Sequence, residues 1–310
     1  FDVAQEFMRV TLRLVGETLL SSDVTSEASE VGEAITVALE HLIHRTLHPF
    51  GFPEWVPTPR NRSFQKALSQ LDRVVLGMIA SRRDGSGPKN ALLAMLMEAR
   101  DPETGEGMSD EQLRDEVMTI FLAGHETTAN ALAWTMVLLG KSPQVEQRLV
   151  KELTDVLGGR VPTMSDVPKL TYTAMVLKES MRLYPPVWSL ARRVVETEVI
   201  DGVTLPKDAI VFICSYALHR HPDFWKDPEA FDPERFAADA PQPVKGAYLP
   251  FSMGQRKCIG DTFAMVEATL VLATVLQRMH LSLVPGQQFT PEPVITLRPL
   301  GGVQVVASKR

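Results

Sequence analysis

The sequence predicts a mainly α fold with small β-sheets in its C-terminal half, an α+β arrangement in which residues 1–310 form a single domain. Three observations lead there. Residues 109–140 carry a helical signal of unusual length. Helix punctuation then recurs at Ser142-Pro143, Gly158-Gly159 and Pro185-Pro186. Short alternating runs follow at 191–200 and 209–214, where β-branched residues return.

Residues 1–100 read as helices separated by loops such as "HPFGFPEWVPTPRNR" (48–62), with a Gly/Ser/Pro hinge "RRDGSGPKN" at 82–90. Ser109 with Gln112 fits a capping box for the long helix, and Gly140 fits its stop. At about 1.5 Å per residue that helix would run about 48 Å, enough to cross a domain. A second helix starts after Ser142-Pro143 and ends at Gly158-Gly159. A third covers 171–184. The alternating runs read as a hairpin turning near Pro206, and 215–257 as irregular chain. The last helix is placed from Cys258 to His280, with closing strands at 282–285, 293–298 and 303–307.

A net charge of -6 disfavours a nucleic-acid partner. Two cysteines, Cys214 and Cys258, make no disulfide framework and suit an intracellular chain. No apolar run reaches a membrane span, so a bacterial cytoplasmic protein is expected over a membrane-anchored one. The chain opens inside an amphipathic pattern, "FDVAQEFMRV", without an initiator methionine, so an upstream portion is expected.

Chemistry concentrates at "FSMGQRKCIG" (251–260). A cysteine at a helix start meets unpaired N–H groups and the positive end of the dipole, and Arg256 and Lys257 add charge. Gly254 and Gly260 let a flat cofactor approach the backbone, and Phe251 supplies an apolar wall. This points to a thiolate metal ligand. Structural zinc wants several ligands, and no second cysteine is near. Cys214, in "VFICSYAL", reads as a small core residue.

Phe251, Gly254, Arg256, Cys258 and Gly260 together resemble the F-x-x-G-x-R-x-C-x-G loop of the cytochromes P-450, the haem-thiolate monooxygenases. The resemblance implies the C-terminal majority of the cytochrome P-450 fold, lacking an N-terminal portion and expected to be inactive by itself. It implies haem b (iron protoporphyrin IX) with Cys258 as its axial ligand, and Arg256 on a propionate.

Three further stretches fit the same family. "AGHETT" (123–128) resembles its oxygen-activation turn. Ala123 and Gly124 would leave room for the ring, and Glu126 and Thr127 would deliver protons. Taken alone, the sextet is also what a small-residue packing patch looks like. A zinc-protease reading of its "HE" fails, because Ala129 stands where a second His belongs. "KESMR" places Glu179 and Arg182 on one helix face, an arrangement equally common on a solvated surface. With Arg235 of "FDPERF" they resemble the family's Glu–Arg–Arg triad. "PPVWSLARRV" (185–194) resembles the segment that lines the substrate pocket, with Arg193 rather than Arg192 reaching a propionate.

The implied reaction is R–H + O₂ + two electrons + two protons → R–OH + water. Phe121, Leu122, Val187, Trp188, Leu190 and Ile295 would line a pocket for a hydrophobic substrate such as a fatty acid, terpenoid or carotenoid. No flavin or nicotinamide fingerprint is visible, so a ferredoxin or flavin reductase type donor is expected, docking near Arg256, Lys257 and Lys245. A peroxide-driven or isomerising haem-thiolate enzyme is the alternative enzyme. A non-enzymatic haem-thiolate binding protein is the alternative outside catalysis. The Glu126-Thr127 pair disfavours both.

Overall fold

The structure, a computed structural model, describes residues 1–19, 28–48, 51–84 and 92–310. Of the expected hinge at 82–90, residues 85–90 lie outside the described residues, as do residues 49–50 of the expected loop. The chain forms two compact units, Ala4–Ala129, and Asn130–Arg310 together with Phe1–Val3.

The first unit is helical. It holds α1 (Val3–Leu19) from Ala4 onward, α2 (Ala28–Leu47), α3 (Pro59–Arg83), α4 (Leu92–Glu98) and the first twenty residues of α5 (Asp110–Lys141). Thr58 caps α3 by accepting from the Asn61 N–H at 3.1 Å, and Pro59 occupies the first turn, where no N–H is needed. The Asn61 side chain donates to Pro53 and Val56 carbonyls, which fixes the preceding loop. α2 packs on α3, with the His41 ring stacked on Phe64 at a centroid distance of 4.0 Å. At the head of α5, the Gln112 N–H donates to Ser109 Oγ at 3.1 Å. Ion pairs Arg83–Asp110 and Arg114–Asp72 tie α3 to α5.

The second unit packs the remainder of α5 with α6 (Pro143–Leu157), α7 (Thr171–Leu183), the single turn α8 (Ser215–Leu218) and α9 (Asp261–Leu276). α6 ends where Gly158 takes φ +56°, a left-handed cap that only glycine adopts without cost. Glu152 of α6 accepts from the Tyr172 and Thr173 N–H groups at 2.6 and 2.9 Å. That puts a carboxylate on the positive end of α7. Trp134 of α5 is fully buried, stacks on Tyr184 at 3.9 Å, and donates its indole N–H to the Leu297 carbonyl.

Gly140 is not the stop expected of it. It lies inside α5, and a Cβ there would meet Leu283 Cγ at 2.6 Å. The glycine is needed for close packing.

Four two-stranded antiparallel sheets complete this unit. The expected single hairpin is two nested ones. β1 (Leu190–Arg193) pairs with β4 (Ile210–Ile213), and β2 (Glu198–Ile200) with β3 (Val203–Leu205). Asp208 takes φ +66° in the turn before β4, a left-handed position that costs a non-glycine residue energy. The last helix is shorter than the pattern suggested. α9 ends at Leu276, and Met279–Leu283 is already β5, paired with β8 (Val305–Lys309). β6 (Pro291–Pro293) pairs with β7 (Leu297–Pro299). The closing strands therefore sit a few residues from their expected positions.

Candidate active site

The cysteine loop is stiff where it needs to be. Ser252 and Gly254 both take positive φ, +61° and +71°. Glycine adopts this freely, whereas serine bears about 1–3 kcal/mol of strain. A one-turn 3-10 helix, Gly254–Arg256, follows. The Cys258 N–H then donates back to the Phe251 carbonyl at 2.9 Å, closing the loop. The Cys258 thiol is exposed, and Ile259 beside it is 99% exposed. α9 begins at Asp261, with Gly260 as its cap, so Cys258 lies just ahead of the helix and not in its first turn as expected. Lys257 pairs with Asp261 at 2.5 Å, so much of its positive charge is spent locally. Arg256 is exposed.

This loop fits a haem-thiolate ligand. A Cβ at Gly260 would lie 3.8 Å from the Cys258 sulfur, so glycine keeps that side of the sulfur open. Among the described residues, no group of three or more His, Cys, Asp and Glu could hold a metal. The chemistry on offer is one exposed thiol beside an apolar side chain. That suits a flat cofactor which brings most of its own ligands.

The two arginines of β1 part company. Residues along β1 alternate, so Leu190 and Arg192 share one face while Ala191 and Arg193 share the other. Arg193 points away. Its side chain is 69% exposed and faces Asp208 at 3.4 Å. Arg192 turns toward the cysteine loop and donates to Ser252 Oγ at 3.1 Å. Of the two, Arg192 is the one beside the candidate ligand.

The three triad residues come together in the second unit. Arg182 donates Nε to Glu179 Oε2 at 2.7 Å and Nη2 to Oε1 at 2.8 Å, and both side chains are fully buried. Its remaining hydrogens reach the His219, Pro228 and Ala230 carbonyls at 2.8, 2.7 and 3.0 Å. All five guanidinium donors are used. Glu179 Oε1 also accepts from Arg235 Nε at 3.3 Å and from the Asp232 N–H at 3.0 Å. A buried ion pair is tolerable only when satisfied in this way.

In the first unit, the 123–128 turn of α5 sorts its residues by face. Phe121, His125, Glu126 and Thr128 are buried, while Ala123 is exposed and Leu122, Gly124 and Thr127 are half-buried. Thr127 Oγ1 donates to the Ala123 carbonyl at 2.8 Å, the back-bonding expected of a helical threonine. Thr11 of α1 donates to the His125 carbonyl at 3.0 Å. Val15 lies so close that a Cβ on Gly124 would meet it at 3.0 Å. α1 thus holds the inner side of this turn.

The expected lining residues do not all stand in the open. Phe121 is 0% exposed and belongs to the core of the first unit, because it falls on the inner face of α5. Trp188 is pinned by its indole N–H to the Val294 carbonyl at 2.8 Å, a structural bond. Leu122, Val187 and Leu190 are half-buried, and Ile295 is 39% exposed. Cys214, expected in the core, is exposed at the head of α8.

Two buried histidines give the protein an acid limit. Burial pushes His125 and His219 down to about 4 from the ordinary 6.5. An unfolded chain takes up protons on both from about pH 6.5 downward, while the folded chain does so only near pH 4. Stability is therefore complete above about pH 6.5 and falls as the pH drops to 4. The loss is about 3 kcal/mol per histidine at about 1.4 kcal/mol per pH unit. Thermal melts across this range should show the decline, and His125→Leu should remove about half of it. Melts that stay level from pH 7 to 4.5 would contradict the assignment.

Among the described residues, no helix is long and apolar enough to cross a membrane. Residues 1–302 match the family model described as Cytochrome P450. Cyclooctatin synthase of Streptomyces melanosporofaciens is 40% identical over 299 residues, which cover 96% of this chain and 65% of that protein. Pentalenene oxygenase of Streptomyces avermitilis is 34% identical over 298 residues, 96% of this chain and 66% of that protein. The chain thus spans about two thirds of the length of these relatives. The crystal structure of cytochrome P450DA heme domain matches all of this chain and 68% of that one, with TM-score 0.90 and 30% identity. Members of this family bind haem b through a cysteine thiolate. With the cysteine loop, the buried Glu–Arg pair and the match over residues 1–302, the chain belongs to the cytochrome P450 family.

Proposed function

We propose that the protein is a haem-thiolate monooxygenase that hydroxylates or epoxidises a hydrophobic substrate. The exposed Cys258 thiol, held in a loop closed by its own N–H, carries this reading. Haem b, when bound, supplies the redox-active iron at which dioxygen is activated.

The chain's own residues do the rest. Cys258 would donate the thiolate, with the half-buried Phe251, whose carbonyl accepts from the Cys258 N–H, as its apolar neighbour. Arg192 and Arg256 would pair with the propionates of the bound group. Glu126 and Thr127 move protons along α5, where the Thr127 hydroxyl already bridges to the Ala123 carbonyl. Val187, Leu190 and Ile295 of the second unit offer apolar surface to the substrate. A monooxygenase named for cyclooctat-9-en-7-ol, an unsaturated monohydroxy compound by its name, and the oxygenase named for pentalenene support an unsaturated, largely hydrocarbon substrate. A separate ferredoxin or flavin reductase type donor supplies electrons, meeting the positive charge of Arg256 and Lys245. The Streptomyces relatives support a bacterial source.

Turnover with NADPH, a reductase system and O₂ tests the class, with product and peroxide counted separately. Thr127→Ala should keep haem binding and divert most reducing equivalents to peroxide, a roughly tenfold to hundredfold loss of product. A variant that stays fully coupled would remove Thr127 from proton delivery. Turnover that runs on peroxide alone, with no use of NADPH and O₂, would favour the peroxide-driven alternative.

A further inference from the structure

His219 joins the buried ion pair to the cysteine loop. It follows α8 and is fully buried. Its carbonyl accepts from Arg182 Nη1 at 2.8 Å. Its ring Nε2 accepts from the Leu249 N–H at 2.7 Å. A ring nitrogen accepts only when it carries no proton, so the imidazole is neutral with its hydrogen on Nδ1. Burial favours that state, holding the group at about 4.

From Leu249 the connections continue into the loop. The Leu249 carbonyl accepts from the Ser252 N–H at 3.2 Å. Ser252 takes φ +61° and accepts from Arg192 through its hydroxyl. The neighbouring Phe251 carbonyl accepts from the Cys258 N–H at 2.9 Å. One residue thus receives a bond from Arg182 on its carbonyl and one from the loop on its ring. A loop with a serine in a strained conformation needs such an anchor, since the strain persists only where neighbours over-determine the backbone.

We propose that His219 is a positioning residue, which fastens the entry of the 249–258 loop to the Glu179–Arg182 pair and so sets where the Cys258 sulfur stands. The proposal rests on Cys258 being the haem ligand. The competing role is packing, because the His219 ring lies 5.3 Å from Tyr248 in a tilted arrangement. The two roles separate by substitution. Phenylalanine keeps the ring and loses the acceptor. Glutamine loses the ring but places an amide oxygen near the position of Nε2.

The experiment compares His219→Phe, His219→Gln and wild type as haem-loaded full chains. Amide hydrogen exchange at Leu249 and the reduced CO spectrum are both read. His219→Phe should speed Leu249 exchange about tenfold, the loss of one buried hydrogen bond. It should also move most of the CO band from the thiolate position to that of a neutral ligand. His219→Gln should stay near wild type in both. If His219→Phe does not accumulate, His219→Asn takes its place, since its shorter amide cannot reach Leu249. Wild-type behaviour of His219→Phe, or failure of His219→Gln beside a normal His219→Phe, would overturn the anchor. A thiolate band that survives Cys258→Ala, with faster Leu249 exchange in His219→Phe, would fault the ligand assignment and leave the anchor standing.

Discussion

Arg182→Leu should leave almost no folded, haem-loaded protein. The substitution keeps an aliphatic side chain on the helix but removes the charge and all five donors. Glu179 stays behind, fully buried, with Arg235 at 3.3 Å as its remaining cation. The carbonyls of His219, Pro228 and Ala230 each lose a donor. Breaking a buried pair from one side costs about 3–5 kcal/mol, and each stranded carbonyl adds to that. The sum approaches the whole stability of an ordinary domain, about 5–15 kcal/mol. Soluble yield and haem content per chain measure it. Arg182→Lys should fare little better, because one ammonium offers three hydrogens from a single atom where five are used in a plane. A soluble Arg182→Leu protein with full haem content would show that the pair is dispensable.

Cys258→Ala should abolish the thiolate-type CO spectrum and all oxygen-dependent turnover, while the fold survives. The exposed thiol gives up little packing, so the expected stability change without haem is under about 1 kcal/mol. The loss falls on the cofactor. A neutral or absent axial ligand removes the electron push that favours O–O cleavage. Cys214→Ala serves as the control and should leave both readouts unchanged. If the Cys214 variant loses the band instead, the ligand is misassigned.

How much of this was legible in the sequence depends on the reach of each signal. α5 was legible because its cap at Ser109, its length and its small-residue turn all lie within one segment. Glu179 and Arg182 were legible as a pair because a helix brings residues three apart together. Arg192 was set aside for Arg193 because strand parity depends on register, and register depends on β4, almost twenty residues on. The burial of Phe121 was not legible for a related reason. A buried helix is apolar on most sides, so pattern alone does not say which apolar residue faces the core. The start of α9 was set three residues early because the turn through Ile259 and Gly260 carries no helix-breaking proline. His219 gave no signal at all. Its partner is a backbone N–H thirty residues away, and a backbone group has no sequence identity.

Both thiols are exposed, and that has a consequence for handling the protein in air. An exposed cysteine is open to alkylation, to oxidation toward sulfenic acid and to disulfide exchange with a second chain. Ligation of iron by Cys258, as proposed, would take one of the two out of that chemistry. Haem-loaded preparations therefore present Cys214 alone to a maleimide reagent, while haem-free ones present two thiols and can cross-link into chains longer than dimers. The stoichiometry of labelling reports haem occupancy without a spectrum. Replacing Cys214 with serine leaves a protein whose free thiol content counts the chains that lack cofactor.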